Sequence, residues 1–297
     1  MEKTYYRSMQ SDSTAQSKSR TEAVSGRTAG IFNKTAAAAL LCSALAAPAW
    51  SADLKAQDLF ASGRSEVIIG VEDLYYPFSF VKEDGSRTGF DFDFSNELCS
   101  RLEVKCVIKS YPFSDLIPAL LNGEIDLIAA SLGETQERIE MGLAFTQPYY
   151  HGKSLYLTND MSMLTVDDNT VKGKILASQE STIQLELLHR YFADSAAEIR
   201  SYNTYDELLA AVCAGEVDVV YLDGLSAVEL IKSSEARSLN MIIDNDTSMD
   251  AAVNYARLAV RSTDAAALEE LNKTLKDLTS SPDYQRLSLR YFPFIIY

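Results

Sequence analysis

The chain has little with which to do metal or covalent chemistry. It contains two histidines, His151 and His189, and no HxxEH or HExxH spacing, so no helical metal site is encoded. There is no GxSxG nucleophile turn and no glycine-rich phosphate loop, which argues against a serine hydrolase or a nucleotide-binding enzyme. Basic residues are scarce: 27 Lys and Arg stand against 42 Asp and Glu, for a net charge of −15. A phosphate backbone needs a basic face, so no nucleic-acid partner is expected. After residue 52 no apolar run approaches the roughly 20 residues of a membrane span. No low-complexity linker divides the chain. Neither a cofactor nor a metal is expected.

What is present is a large apolar inventory. Of 297 residues, 47% are apolar and 10% aromatic. That is ample for a packed core and somewhat long for one average domain. Residues 1–52 read as a secretory leader. Six basic side chains (Lys3, Arg7, Lys18, Arg20, Arg27, Lys34) and three acids come first. An uncharged alanine- and leucine-rich run, Ala36 to Trp50, follows and ends at Ser51-Ala52. Cleavage fits after Ala49 or Ala52, and Met9 is an alternative start. The rest of the chain carries −18, that is −15 less the leader's +3. A membrane anchor is the competing reading, but the apolar run is too short and contains Pro48. Export to the periplasm and a soluble, monomeric mature protein are the expectation.

An exported chain can keep a disulfide. Cys99 ends a helix-like run and Cys106 opens an apolar one. A helix end turning back into a strand brings two Cα atoms within the ~4.4–6.8 Å that a bridge requires. Two buried thiols are the alternative. Cys213, among Leu208, Leu209 and Val212, is expected in the core.

An internal echo organises the body. Residues 119–132 read ALLNGEIDLIAASL, and residues 209–223 read LAAVCAGEVDVVYLD. Each is a helix end, then Gly-Glu-[Ile/Val]-Asp, then a short apolar run that fits a buried parallel strand. Each echo has its own opening strand, Val67 to Val71 and Lys174 to Ser178, with helix-like stretches between. Alternating strands and helices imply parallel α/β sheets, and ligands bind beyond the C-terminal ends of such strands. That rule gathers Glu72, Tyr75, Ser131, Ser181, Thr182 and Asp223 on two lobes facing a cleft. Further expectations are an Asp84-Gly85 hairpin turn and an Asp264 N-cap on a helix over 264–280.

These stretches, in this order, resemble a known family. EDLYYPFSF, GFDFDFSNELCSRLEVKC, FSDLIPALLNGEIDLI, TQERIEMGLAFTQPYY, GEVDVVYLD and DYQRLSLRYF are similar to segments of the extracellular solute-binding proteins of family 3. The likeness covers about residues 64–293. It implies the two-lobed type II periplasmic-binding-protein fold, α/β, each lobe a mostly parallel sheet flanked by helices. Lobe one would be residues 53–150 plus 256–297, and lobe two residues 151–255. It implies a free amino acid as ligand and the membrane permease of an ABC transporter as partner. The spacing of Cys99 and Cys106 resembles that of basic-amino-acid binders that carry a disulfide there.

The resemblance also implies roles. Arg138 clamps the ligand α-carboxylate and Asp223 holds the α-ammonium. Ser131, Ser181 and Thr182 supply hydrogen bonds around them. Tyr75 and Phe113 enclose the ligand side chain, and Glu72 meets a positive charge on it. Gly133 stands where a hydroxyl or acid is common, and Glu134 after it is unusual. A basic ligand is therefore expected: arginine first, then lysine, ornithine or histidine, with another polar amino acid or an opine as alternatives. An enzyme on the same fold, such as a cyclohexadienyl or arogenate dehydratase using Glu72 and Glu134 as acid or base, is the competing class.

Overall fold

Two five-stranded sheets carry the chain. The computed structural model describes residues 56, 58–230, 238–244 and 254–297; the leader-like segment lies outside them. The first sheet has the order β4 (Cys106–Tyr111), β1 (Val67–Glu72), β5 (Leu127–Leu132), β12 (Tyr255–Arg261), β6 (Leu143–His151). The second has the order β11 (Asn240–Ile243), β7 (Ser154–Thr158), β10 (Val219–Asp223), β8 (Ile175–Gln179), β9 (Glu198–Tyr202). β1 pairs in parallel with β4 and β5, and β8 with β9 and β10. One strand in each sheet is reversed: β12 runs against β5 and β6, and β7 against β10 and β11. Each reversed strand is the first to enter its sheet after the chain has come over from the other. The α/β expectation holds, with mixed sheets where mostly parallel ones were expected.

The echo has a physical explanation. Asp126 is fully buried and its carboxylate accepts the Ile68 N–H at 3.0 Å, at the start of β1. Asp218 does the same for the Ile175 N–H at 2.7 Å, at the start of β8. In each lobe this aspartate satisfies a backbone donor in the opening residues of the neighbouring parallel strand. The backbone N–H groups of both aspartates return the bond, to the Ile68 and Ile175 carbonyls. Arg64 and Arg261 neutralise Asp126.

Helices cover the sheets. They are α1 (Phe90–Leu102), α2 (Phe113–Leu121), α3 (Gln136–Glu140), α4 (Ile183–Phe192), α5 (Tyr205–Ala214), α6 (Gly224–Leu230), α7 (Ala265–Thr279) and α8 (Pro282–Tyr291). α5 starts with a capping box between Thr204 and Glu207 and stops at Gly215 in the left-handed region, as its sequence dictates. α7 buries Leu271, Leu275 and Leu278 along one stripe. Asp264 stands at its N-cap position, but the side chain does not cap. It accepts the Ala61 N–H at 2.7 Å and pairs with Arg261, a half-buried cation that outcompetes a helix N–H. The Asp84-Gly85 turn joins β2 (Phe80–Val81) to β3 (Arg87–Thr88).

An aromatic core fills the first lobe: Phe78, Phe90, Phe94, Tyr149, Tyr150 and Tyr284 are all buried, with Phe78 stacked on Tyr150 at 5.2 Å. A bridge joins Cys99 near the end of α1 to Cys106 at the start of β4, with Cα atoms 6.2 Å apart. Cys213 departs from expectation: it is exposed. The buried stripe of α5 runs through Tyr205, Leu208, Ala211 and Val212, and the next residue turns about 100° away from it. In protein lacking residues 1–52, native alkylation followed by intact mass is expected to add one group, at Cys213. Cys99 and Cys106 should take up reagent only after reduction. Labelling of Cys99 in unreduced protein from an oxidising compartment would refute the bridge.

Candidate functional site

The C-terminal ends of the strands converge between the two sheets. Glu72 ends β1, Ser131 lies next to the end of β5, Gln179 ends β8 and Asp223 ends β10. Eight of the nine residues anticipated from the sequence line one enclosed space there: Glu72, Tyr75, Phe113, Ser131, Gly133, Arg138, Thr182 and Asp223. Ser181 does not. Its side chain is exposed, and its backbone sits at φ 62°, a left-handed conformation that aims the carbonyl at Arg138. Four residues not anticipated complete the lining: Gln179, Ile183, Gln184 and Tyr205.

The charged groups are buried on both sides. Arg138 sits in the short helix α3, which is N-capped by the Thr135 hydroxyl. Its guanidinium donates to the Gly133 carbonyl at 2.7 Å and, across the cleft, to the Ser181 carbonyl at 2.9 Å. No carboxylate lies within ion-pair distance of it among the described residues. Burial lowers its pKa to about 10, which leaves it charged at neutral pH. A guanidinium has five N–H donors, and the protein engages it only through carbonyls.

Glu72 is 4% exposed. Its Oε1 accepts Gln179 Nε2 at 2.6 Å, again across the cleft. Desolvation pushes its pKa up to about 8. The Gln179 bond opposes that rise, and the nearby Asp73 and Asp223 add to it. Asp73 itself faces the other way and pairs with Arg87 at the surface, as alternation along a strand requires. Asp223 accepts the Leu225 and Ser226 N–H groups, each at 3.0 Å. Burial still raises its pKa to about 6, offset by those two bonds. Gly152 makes room for this carboxylate: a Cβ there would lie 3.2 Å from Asp223 Oδ2.

The aromatic partner of Tyr75 differs from expectation. Tyr75 stacks on Tyr205 from the second lobe, with ring centroids 5.1 Å apart, and on Phe78 behind it at 4.7 Å. Phe113 lines the space from the first turn of α2 and packs against the Leu116–Leu120 cluster. Thr182 serves as the N-cap of α4 while lining the cleft. Glu134 is turned away, in a salt bridge to Arg257 at 3.2 Å. His151 ends β6 and packs on Tyr255 and Tyr297.

The cleft is shut. The enclosed space is about 30 Å³, enough for one or two waters. The Glu72–Gln179 and Arg138–Ser181 bonds and the Tyr75–Tyr205 stack hold the two lobes together, and each uses a group that a bound solute would otherwise engage. Chemically the lining is one guanidinium and two carboxylates around stacked rings. That set is complementary to a small molecule carrying one carboxylate and two cationic groups.

Comparison with known proteins agrees. The model of the bacterial extracellular solute-binding proteins, family 3, matches residues 67–294. The histidine-binding periplasmic protein of Escherichia coli K12 is 27% identical over 239 residues, covering 80% of this chain and 92% of that relative. The ABC transporter arginine-binding protein 1 of the same organism is 26% identical over 235 residues, covering 78% of this chain and 93% of the relative. A solved structure, an ancestral arginine-binding protein bound to arginine, superposes with a TM-score of 0.69 at 23% identity, over 77% of this chain and 99% of the other.

Proposed function

Since the chain belongs to the bacterial extracellular solute-binding proteins of family 3, we propose that it captures a basic amino acid, arginine foremost, in the periplasm and passes it to the membrane permease of an ABC transporter. One observation carries the choice of ligand. Buried in the cleft are one guanidinium, Arg138, and two carboxyl groups, Asp223 and Glu72. Once a cationic ligand has drawn the proton from Glu72, whose pKa is about 8, they form a charge set of +1, −1 and −1. An amino acid with a cationic side chain presents the opposite set. Arg138 then takes the α-carboxylate, Asp223 the α-ammonium, and Glu72 the side-chain cation beside the rings of Tyr75, Phe113 and Tyr205. The names of the relatives, for histidine and arginine, support a basic ligand.

Binding proceeds by hinge motion in this reading. Residues 53–150 with 256–297 move against residues 151–255, because a shut space of about 30 Å³ admits no amino acid until the lobes part. The protein works as a monomeric carrier and not as an enzyme. Glu134, one of the two acids a dehydratase would need, is committed to Arg257 outside the space.

Calorimetric titration of the purified protein with arginine, lysine, ornithine, histidine, glutamine and glutamate tests the assignment. Arginine is expected to bind with a micromolar or tighter constant, about −8 kcal/mol or better. Saturating arginine should also change the small-angle scattering profile. Tightest binding of glutamate, or conversion of arogenate to an aromatic product, would displace the reading.

A further inference from the structure

Ser131 is held from behind by two consecutive tyrosines. Its backbone stands at φ 53°, in the left-handed region that a serine adopts only when its surroundings impose it. The Ser131 N–H donates to the Tyr149 hydroxyl at 3.1 Å. The Tyr149 hydroxyl in turn donates to Asp91 Oδ1 at 2.6 Å. The Tyr150 hydroxyl donates to Ser131 Oγ. Asp91, Tyr149 and Tyr150 are each at most 1% exposed, and none of them lines the cleft.

The proton positions follow. Tyr149 must give its proton to Asp91, since a serine N–H cannot accept one. Its oxygen is therefore turned to receive the Ser131 N–H. Tyr150 has no other acceptor among the described residues, so its proton goes to Ser131 Oγ. The Ser131 hydroxyl proton is then directed away from Tyr150, and no acceptor for it exists among the described residues. Ser131 lines the space that Arg138 and Gly133 also line, which leaves that proton available to a solute there. A hydroxyl free to rotate would be donor or acceptor at will; this one is set to donate.

We propose that Tyr149 and Tyr150, backed by Asp91, are positioning residues that fix Ser131 as a hydrogen-bond donor, so that the Arg138 end of the cleft selects a carboxylate over a carboxamide. The inference rests on the reading of this cleft as an amino-acid site. A carboxylate accepts from Ser131 and from Arg138 together. A carboxamide turns an N–H₂ group toward the two donors Ser131 and Arg138, neither of which can receive it. Such a mismatch leaves buried polar groups unpaired and discriminates strongly.

The experiment compares two ligands on the wild type and on Tyr150→Phe and Tyr149→Phe. The ligands are whichever of arginine, lysine, ornithine and histidine the wild type binds tightest, and its α-amide. Both variants are expected to narrow the acid-to-amide affinity ratio by roughly five- to tenfold, mainly through loss of the acid, as for one charge-assisted hydrogen bond. Asp91→Asn, which still offers Tyr149 a carbonyl oxygen, should keep at least half the wild-type ratio. Equal losses for acid and amide would reduce the tyrosines to packing and overturn the proposal, as would an unchanged ratio. If the tyrosine variants do not fold, Ser131→Ala carries the test: it should narrow the ratio by the same factor, and an unchanged ratio overturns the proposal. A wild type that binds none of the four amino acids removes the functional reading, and this inference with it.

Discussion

Replacing Arg138 with alanine is expected to weaken every α-amino-acid ligand by at least roughly tenfold, and all by a similar factor. The ligand carboxylate is buried in the closed cleft, and without the guanidinium it loses its only full positive charge among the lining residues. Truncating one member of a buried charged pair costs roughly 2–5 kcal/mol, and about 1.4 kcal/mol corresponds to a decade in affinity. Part of the loss is offset, because Arg138 must first release the Ser181 carbonyl, to which it donates at 2.9 Å. Folding should be little affected, since Arg138 lies on a five-residue helix, and each of its two acceptors is a backbone carbonyl. Calorimetry on Arg138→Ala with arginine and one neutral amino acid checks this. A loss below threefold would take Arg138 out of the site.

The second large effect belongs to Glu72. Arginine is expected to bind at least roughly tenfold more tightly than glutamine, because glutamine would leave a desolvated carboxyl without a charged partner. Glu72→Gln should close most of that gap while leaving glutamine within about threefold of the wild type. The pH dependence follows from the raised pKa. In the empty protein Glu72 holds its proton up to about pH 8. A cationic ligand favours the ionised form, so binding expels the proton. Arginine affinity should therefore rise with pH up to about 8, by at most tenfold per pH unit, and then level off. Asp223 titrates near 6 and would act on all amino acids alike. The window between about pH 6 and 8 thus isolates Glu72. There arginine should show the slope, and glutamine should not. The sign for stability of the empty protein is the reverse of that of an ion-paired carboxylate. The folded pKa lies above its ordinary value of 4.5. The folded state binds the extra proton between 4.5 and 8, so the contribution from Glu72 is most favourable below this window and is lost as pH rises through it. Titrations in buffers of different ionisation heat would reveal the proton release. A flat arginine profile, or unchanged arginine affinity in Glu72→Gln, would end the basic-ligand assignment while leaving the carrier assignment standing.

Much of the frame was legible because it depends on local pattern. The Gly-Glu-[Ile/Val]-Asp echo marked a helix stop and a buried strand in each lobe, and both formed where expected. Alternation along the strand gives Glu72 and Asp73 opposite faces, and the family resemblance puts Glu72 in the cleft; the structure has the first in the cleft and the second on Arg87. The strand-end rule placed Ser131 and Asp223. It would have placed Gln179 too, the last residue of β8, had the rule been applied to the strand itself and not only to the loop after it.

The sequence by itself determined the elements, the two-lobed α/β organisation and the chemical types that meet in the cleft, because strand period, helix stops and charge are properties of short stretches. Only the tertiary structure decided who touches whom across the cleft. Tyr205 opens a helix 130 residues from Tyr75 and stacks on it because two sheets face each other. Cys213 is exposed because of the rotation of α5 about its axis, which three apolar neighbours do not specify. Asp91, Tyr149 and Ser131 come together from one helix and two strands. The direction of the protons among them is set by which atoms lie within hydrogen-bond reach, a quantity no local pattern encodes.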